Sequence, residues 1–121
     1  MQHGDYTHIE VPADDTERAI RFYRELFGWT FETTEGMPGY HLYRTPSGEF
    51  GGGMGLRDQM APHELRNYLQ VTSVHDTLSR VAEFAGSIVE GKVEIPGYGW
   101  FAVIKDSEGN QFGIFEASMP A

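Results

Sequence analysis

The chain has 121 residues, a length that suits one domain able to bury its own core. Its apolar fraction of 40% and charged fraction of 22% are those of ordinary globular proteins, and no apolar run approaches the roughly 20 residues of a membrane-spanning helix. The net charge of −9 disfavours binding to nucleic acid or to anionic membranes, and the lack of cysteine excludes disulfides and thiolate ligands. Because no signal peptide is visible either, we predict a cytoplasmic protein.

The first half of the chain predicts one strand, one helix and three further strands. Apolar and polar residues alternate over Thr7–Val11, which is the period of a half-buried strand. Asp14 or Asp15 is suited to cap the helix that follows, and Gly28 is suited to end it. Three strand-like runs come next, separated by turns rich in Gly, Pro and Ser: Trp29–Thr34, Gly39–Thr45 and Phe50–Leu56.

The second half of the chain predicts the same order of elements. It follows a polar, proline-containing linker, Arg57–Glu64. The predicted elements are a strand over Arg66–Val71, a helix near Val74–Ala85, and strands near Ile88–Ile95, Trp100–Lys105 and Gln111–Glu116.

The two halves also match each other in sequence. The segment 37–40, MPGY, recurs 58 residues later as IPGY, and the same shift places Gly28 on Gly86. Beyond this segment the shift grows to 61, because the turn at Ser47-Gly48 corresponds to the turn at Glu108-Gly109. We interpret this self-similarity as an internal duplication of a βαβββ unit.

Two segments resemble a known superfamily. HIEVPADDTERAIRFYRELFGW at 8–29 resembles the opening of a vicinal oxygen chelate module, and WFAVIKDSEGNQFGIFE at 100–116 resembles the closing turn and last strand of one. The chain is identified as a glyoxalase-like member of this superfamily, which also contains bleomycin-resistance proteins and extradiol dioxygenases. The resemblance implies an α+β fold in a single domain, residues 1–121, with two tandem modules at about 5–57 and 65–117. It further implies a curved, partly open mixed sheet with a concave cleft, and a homodimer.

The resemblance also indicates where a metal would bind. In metal-dependent members each module supplies one ligand from its first strand and one from its last. With the repeat as a guide, these positions are His8, Gly52, Arg66 and Gly113. Glycine has no side-chain donor, a guanidinium repels cations, and a catalytic metal normally needs about three protein ligands. We therefore predict no cofactor and no metal at these positions. A divalent metal held by another set, such as His8, Glu10 and His41, is the alternative.

Strand alternation predicts which residues line the cleft. The polar faces of the first and fifth strands, together with nearby aromatic and histidine residues, supply the candidates: His8, Glu10, His41, Arg66, Tyr68, Gln70 and Trp100. Polar groups beside an aromatic wall are typical of a ligand site. A sheet face exposed to water gives the same alternation, and an ion pair between Glu10 and Arg66 would leave no catalytic group.

Three functions are consistent with these patterns. The first is a metal-free protein that binds a small organic ligand, anionic if Arg66 and His8 hold it. The second is a lyase, isomerase or dioxygenase, with His8 and Glu10 as catalytic candidates. The third is an interaction module whose working form is an edge-to-edge dimer. The glycine run Gly51–Gly55 lacks the spacing of a P-loop or a dinucleotide-binding loop, so we predict no nucleotide site.

Overall fold

The computed structural model describes residues 2–118 and divides the chain into two compact units. One unit is His8–Arg66, and the other consists of Asn67 onward together with the residues before His8. Apart from the first one or two residues of the opening strand, each unit contains one run of strand, helix and three strands. The predicted α+β fold of two βαβββ modules is therefore confirmed, while the concave cleft and the homodimer stay predictions.

The first module has its strands in the order β2-β3-β4-β1. Its elements are β1 (Tyr6–Ala13), α1 (Thr16–Phe27), β2 (Thr30–Thr33), β3 (His41–Arg44) and β4 (Gly51–Leu56). Strands β1 and β4 are parallel, whereas the β2–β3 and β3–β4 pairs are antiparallel. The parallel pair brings the first and last strands of the module side by side.

The second module repeats this arrangement in the order β6-β7-β8-β5. Its elements are β5 (Arg66–Gln70), α2 (Val74–Arg80), a 3₁₀ segment (Val81–Phe84), β6 (Ser87–Ile95), β7 (Gly99–Lys105) and β8 (Gln111–Ala117). Strands β5 and β8 are parallel, and the other two pairs are antiparallel. The helix predicted to reach Ala85 tightens into the 3₁₀ segment over its last turn. This segment ends at Ala85, which adopts a left-handed conformation with φ 66° and whose N–H donates to Ala82 O.

Both ends of α1 follow local rules. Of the two aspartates that could cap it, Asp15 is the cap, since its Oδ1 accepts from the Arg18 N–H at 3.0 Å. Asp14 instead accepts from Arg57 Nε at 2.9 Å. Gly28 ends the helix with φ 76°, and its N–H donates to Arg24 O. Among the described residues, no helix is long and apolar enough to cross a membrane.

Each helix packs on one face of its own sheet, and this defines the two faces of every strand. The buried core of the first module joins α1 to β1, β3 and β4 through Val11, Ala13, Ile20, Tyr43 and Met54. That of the second module joins the start of α2 to β7 and β8 through Val71, Val74, Ala102 and Ile114. Because side chains alternate along a strand, the neighbours of these residues point to the opposite face, here called the open face.

The strand register corrects one predicted position. Glu10 is the partner of Gly53 in the first module, and Tyr68 is the partner of Gly113 in the second. Since the shift of 58 carries Glu10 onto Tyr68, the residue equivalent to Gly113 is Gly53. The sequence had placed it one residue earlier, at Gly52.

The cause of this correction is the length of one turn. In the first module the Thr45 N–H donates to Phe50 O at 2.9 Å, which spans five residues. In the second module the Asp106 N–H donates to Asn110 O at 2.9 Å, which spans four. The turn before β4 therefore holds one residue more than the turn before β8. Equivalent residues of the two modules are 61 positions apart at the start of the turn and 60 positions apart in the strand that follows.

Candidate functional site

Three polar side chains of the first module form a hydrogen-bonded cluster on the open face of β1. The Tyr40 hydroxyl donates to Glu10 Oε2 at 3.0 Å, and the oxygen of this Tyr40 hydroxyl lies 2.8 Å from His8 Nε2. A hydroxyl has a single hydrogen, and here Glu10 receives it. His8 Nε2 must therefore carry a hydrogen and donate to Tyr40. His8, Tyr40 and Glu10 together are called the polar cluster below.

The strands explain why these residues meet. His8 and Glu10 are two residues apart on β1, so they share a face. Tyr40 immediately precedes β3 and is only 7% exposed. In the turn before it, the Tyr40 N–H donates to Met37 O, and Gly39 adopts φ 85°. The PGY turn thus delivers the Tyr40 ring to the first strand.

The electrostatics of the polar cluster favour a neutral histidine. Burial lowers the pKa of His8 below its usual 6.5, and the negative charge of Glu10 opposes this shift without cancelling it. At neutral pH the imidazole is therefore uncharged, with its hydrogen on Nε2 and its lone pair on Nδ1. Such a ring can donate at one nitrogen and accept a proton at the other.

The glycine run of β4 makes room for the polar cluster. A side-chain carbon added at Gly53 would overlap the Tyr40 hydroxyl and ring. One added at Gly52 would overlap the backbone of Ile9 on the neighbouring strand. Neither position has space for a ligating carboxylate beside the present Tyr40. The glycines at these two positions therefore allow close packing against Tyr40 and Ile9.

In the second module a tyrosine also covers the last-strand glycine, but this tyrosine comes from the first strand of the module, β5. A side-chain carbon added at Gly113 would overlap the ring of Tyr68, which is 7% exposed. Tyr68 meets Phe101 edge to face, with ring centroids 6.4 Å apart. In both modules, then, a tyrosine ring covers the glycine at the last-strand position.

The superfamily's metal positions do not fit a divalent ion in this chain. Gly53 and Gly113 offer no donor, their space is taken by tyrosines, and Arg66 is a cation. Over residues 2–118, no three His, Asp or Glu side chains are grouped closely enough to hold a metal. The side chains present beside Gly53 form hydrogen bonds with one another.

Two predicted lining residues lie on the other face. His41 is the partner of Met54 and shares its strand face with Tyr43, so it sits on the helix-packed side of β3. The set of His8, Glu10 and His41 is consequently not assembled. Trp100 packs against the helix-side core, and the Lys92 ammonium lies 5.0 Å from its ring centroid.

Of the remaining predicted residues, Arg66 and Gln70 are partly buried. Arg66 begins β5, and Gln70 ends it. The Gln70 amide donates to Val71 O at 3.3 Å, and its backbone bonds to Gly4 and Asp5. Contact of Arg66, Tyr68 or Gln70 with a ligand stays a prediction.

Sequence reasoning missed the role of Tyr40. The sequence placed this residue only in the repeated MPGY segment and named His41 as the residue of the third strand that lines the cleft. The alternation of side chains along β3 could have revealed the role of Tyr40. Tyr43 packs in the apolar core, so Tyr40, three residues earlier, faces the opposite side of the sheet.

Comparison with known proteins identifies the family. The model for the Glyoxalase/Bleomycin resistance protein/Dioxygenase superfamily matches residues 6–114. The chain belongs to this superfamily, as its motifs predicted.

Individual relatives agree with this assignment. A glyoxylase-like domain-containing protein of Didymella fabae is 27% identical over 119 residues, which is 93% of each chain. A Mycobacterium bovis protein named as a glyoxylase candidate is 27% identical over 109 residues, so 88% of this chain spans only 42% of that protein. The crystal structure of a superfamily member from Vibrio splendidus superimposes with TM-score 0.66 at 10% identity, over 93% of this chain and 99% of that one.

Proposed function

We propose that this protein binds a small organic anion on the open face of the first module, without the metal of its metal-dependent relatives. The observation that carries the proposal is Tyr40, whose hydroxyl joins His8 and Glu10 directly over Gly53. A tyrosine at this place supplies a hydrogen-bonding group where a metal-binding carboxylate would otherwise project. Family membership supports a role for this scaffold in small-molecule recognition.

The charge of the ligand is argued from the side chains. Glu10 is already engaged by the Tyr40 hydroxyl, and His8 is kept neutral by burial. Arg66, at the start of β5, is the predicted cation, and a guanidinium binds a carboxylate with two parallel hydrogen bonds. A small carboxylate or enolate is thus the ligand class that the site favours.

The metal-free part of the proposal is tested by elemental analysis of protein purified without chelator. We expect much less than one equivalent of Zn, Ni, Fe or Mn, because the donor set is incomplete. Stoichiometric metal that is lost in His8→Ala would contradict the proposal.

The ligand part is tested by thermal shift with small carboxylic acids, each compared with its neutral amide. We expect the acids to raise the melting temperature and the amides to have little effect. Arg66→Ala should remove the shift, whereas Arg18→Ala, an exposed arginine of α1, should retain it. Equal shifts in both variants would exclude Arg66 from the site.

A second candidate function, acid–base catalysis, is favoured by the same line of hydrogen bonds. A neutral His8 can take a proton at Nδ1 while its Nε2–H is linked through Tyr40 to the Glu10 carboxylate. Proton exchange at the carbon beside the carbonyl of dihydroxyacetone, followed by NMR in deuterated water, tests this. Catalysis predicts exchange that is faster than in buffer and is lost in His8→Gln; exchange at the buffer rate would leave binding as the function.

A further inference from the structure

One side of α1 carries exposed apolar side chains that its own module does not use. Ile20 and Tyr23 pack this helix onto the core of the first module. Phe22, Leu26 and Phe27 lie outside that core and are 53%, 61% and 52% exposed. These three residues are called the α1 patch below. Because the helix is already held by its core face, the α1 patch is available to a partner.

The α1 patch is continuous. Phe22 and Leu26 are neighbours one turn apart on the helix. The Phe22 ring meets the Phe27 ring edge to face, with centroids 6.1 Å apart. Each phenylalanine exposes about half of a side chain of roughly 200 Å², so the three residues present on the order of 300 Å². A patch of this size is among the largest on a soluble monomer and commonly marks a binding surface.

The charge of α1 differs from that of the rest of the chain. The helix, Thr16–Phe27, contains three arginines and two glutamates, which gives it a net charge of +1. Since the whole chain has −9, the remaining residues sum to −10. Two copies of this chain therefore repel each other through most of their charge, but not through α1.

The charges beside the α1 patch suit a two-fold arrangement. Arg18 and Glu25 are seven residues apart, which is two helical turns, so they lie along the same side of α1 with Phe22 between them. In two antiparallel helices related by a two-fold axis near Phe22, each Arg18 faces Glu25 of the partner subunit. Within residues 2–118 the Arg18 side chain forms no ion pair, and Glu25 uses one oxygen, Oε2, for Arg21 at 3.0 Å. The same surface is thus complementary to itself.

The edge strands of the two modules are less suited to a contact between copies. Strand β2 has four residues, and the ladder between β6 and β7 shifts register twice between Ile88 and Val93. Such bulges bend an edge strand and hinder its pairing with another strand.

We propose that two copies of this chain associate through α1, with the two helices antiparallel. The Phe22 rings meet at the two-fold axis, Leu26 packs beside them, and ion pairs between Arg18 and Glu25 of the partner subunit border the contact. The two α1 patches together bury on the order of 600 Å² of apolar side chain, which is typical of a weak, reversible interface.

Sedimentation equilibrium of the full chain tests the proposal, over concentrations from about 1 µM to about 1 mM at about 0.15 M NaCl. We expect the average mass to rise from 13.6 kDa toward twice this value, with a Kd of about 10–500 µM. A mass that stays at 13.6 kDa over the whole range would overturn the proposal. The measurement uses no ligand, so its outcome is independent of the proposed function.

The apolar part of the contact is tested by one substitution and a matched control. Phe22→Ser should weaken association by at least about thirtyfold, because the ring is lost from both copies. Phe84→Ser removes a ring of the 3₁₀ segment that is 67% exposed and should leave the Kd unchanged. Equal Kd values for the two variants would place the contact on another surface.

The antiparallel arrangement is tested by exchanging charges. Arg18→Glu and Glu25→Arg should each weaken association by about tenfold, because each brings like charges together across the axis. The double variant restores opposite charges and should associate nearly as well as the unchanged protein. Circular dichroism checks that each variant keeps its helix. A double variant that associates no better than the single variants would exclude this arrangement.

Discussion

The Tyr40 hydroxyl forms a hydrogen bond with each of the other two members of the polar cluster. Tyr40→Phe removes the bonds to His8 and Glu10 while keeping the ring over Gly53. We expect the free energy of unfolding to fall by about 1–3 kcal/mol, measured by urea denaturation. Tyr6→Phe is the control, because Tyr6 is 62% exposed and should change stability little. An equal loss in both variants would show that the bridging bonds contribute nothing.

His8 makes stability depend on pH in a defined direction. The pKa of His8 is lower in the folded protein than in the unfolded chain, where it is about 6.5. Between these two pKa values, His8 is protonated in the unfolded chain and neutral in the folded protein. Stability contributed by neutral His8 is therefore present above this range and is lost as the pH falls through it. We expect His8→Gln to lose less stability than the unchanged protein between about pH 7.5 and about pH 5.5.

Glu10 gives a sharper test of the same electrostatics. Its negative charge raises the pKa of His8 against the effect of burial. In Glu10→Gln this support disappears, so the pKa of His8 should fall further. An NMR titration of the His8 ring measures it directly, and an unchanged or higher pKa would contradict the cause assigned here.

At the level of the strand, the tyrosine-covered glycines of β4 and β8 are places where no side chain fits. Gly53→Ala and Gly113→Ala should each reduce the free energy of unfolding by about 1–3 kcal/mol, because the added methyl overlaps a buried ring. Gly91→Ala on β6 is the matched control, since its added methyl has nothing within 4 Å. Combining Gly53→Ala with Tyr40→Ala should cost less than the sum of the two changes. Additive losses would mean that the overlap is not with Tyr40.

Asp14 and Asp15 have different roles at the start of α1, although the sequence made both candidates for the helix cap. Asp15→Ala removes the hydrogen bond to the Arg18 N–H and should cost about 0.5–2 kcal/mol. Asp14→Ala breaks an ion pair with Arg57 in which the Asp14 side chain is 70% exposed, which is worth at most about 1 kcal/mol. Thermal or urea unfolding of the two variants ranks them, and the reverse order would move the cap to Asp14.

The register of β4 shows where strand-level prediction stops. Both PGY turns and the alternation of β1 were readable, because they depend on local residue preferences. The extra residue between Thr45 and Phe50 was not, since its length is set by which backbone groups bond across the turn. A slip of one residue changes the face of every side chain that follows. For this reason Gly52 was predicted to be the equivalent of Gly113, whereas the equivalent residue is Gly53.

For the molecule as a whole, the sequence was sufficient for the fold class, the order of elements and the superfamily. These depend on hydrophobic period and turn chemistry, which are repeated in both modules. The site was readable only in part, because His8 and Glu10 follow from one strand whereas Tyr40 arrives through tertiary packing. Trp100 and His41 were misplaced for the same reason, since the phase of their strands is set by the core.

The net charge of −9 acts on the whole molecule and predicts a dependence on salt. Like charges repel in the compact state, and about 0.5 M NaCl shortens the screening length to a few ångströms, compared with roughly 20 Å at low salt. We therefore expect the melting temperature at pH 7 to rise by a few degrees with NaCl, measured by circular dichroism. Near the isoelectric point of about 4.8 the net repulsion vanishes, so the same salt should have a much smaller effect. An equal rise at both pH values would instead indicate a general salt effect on apolar burial.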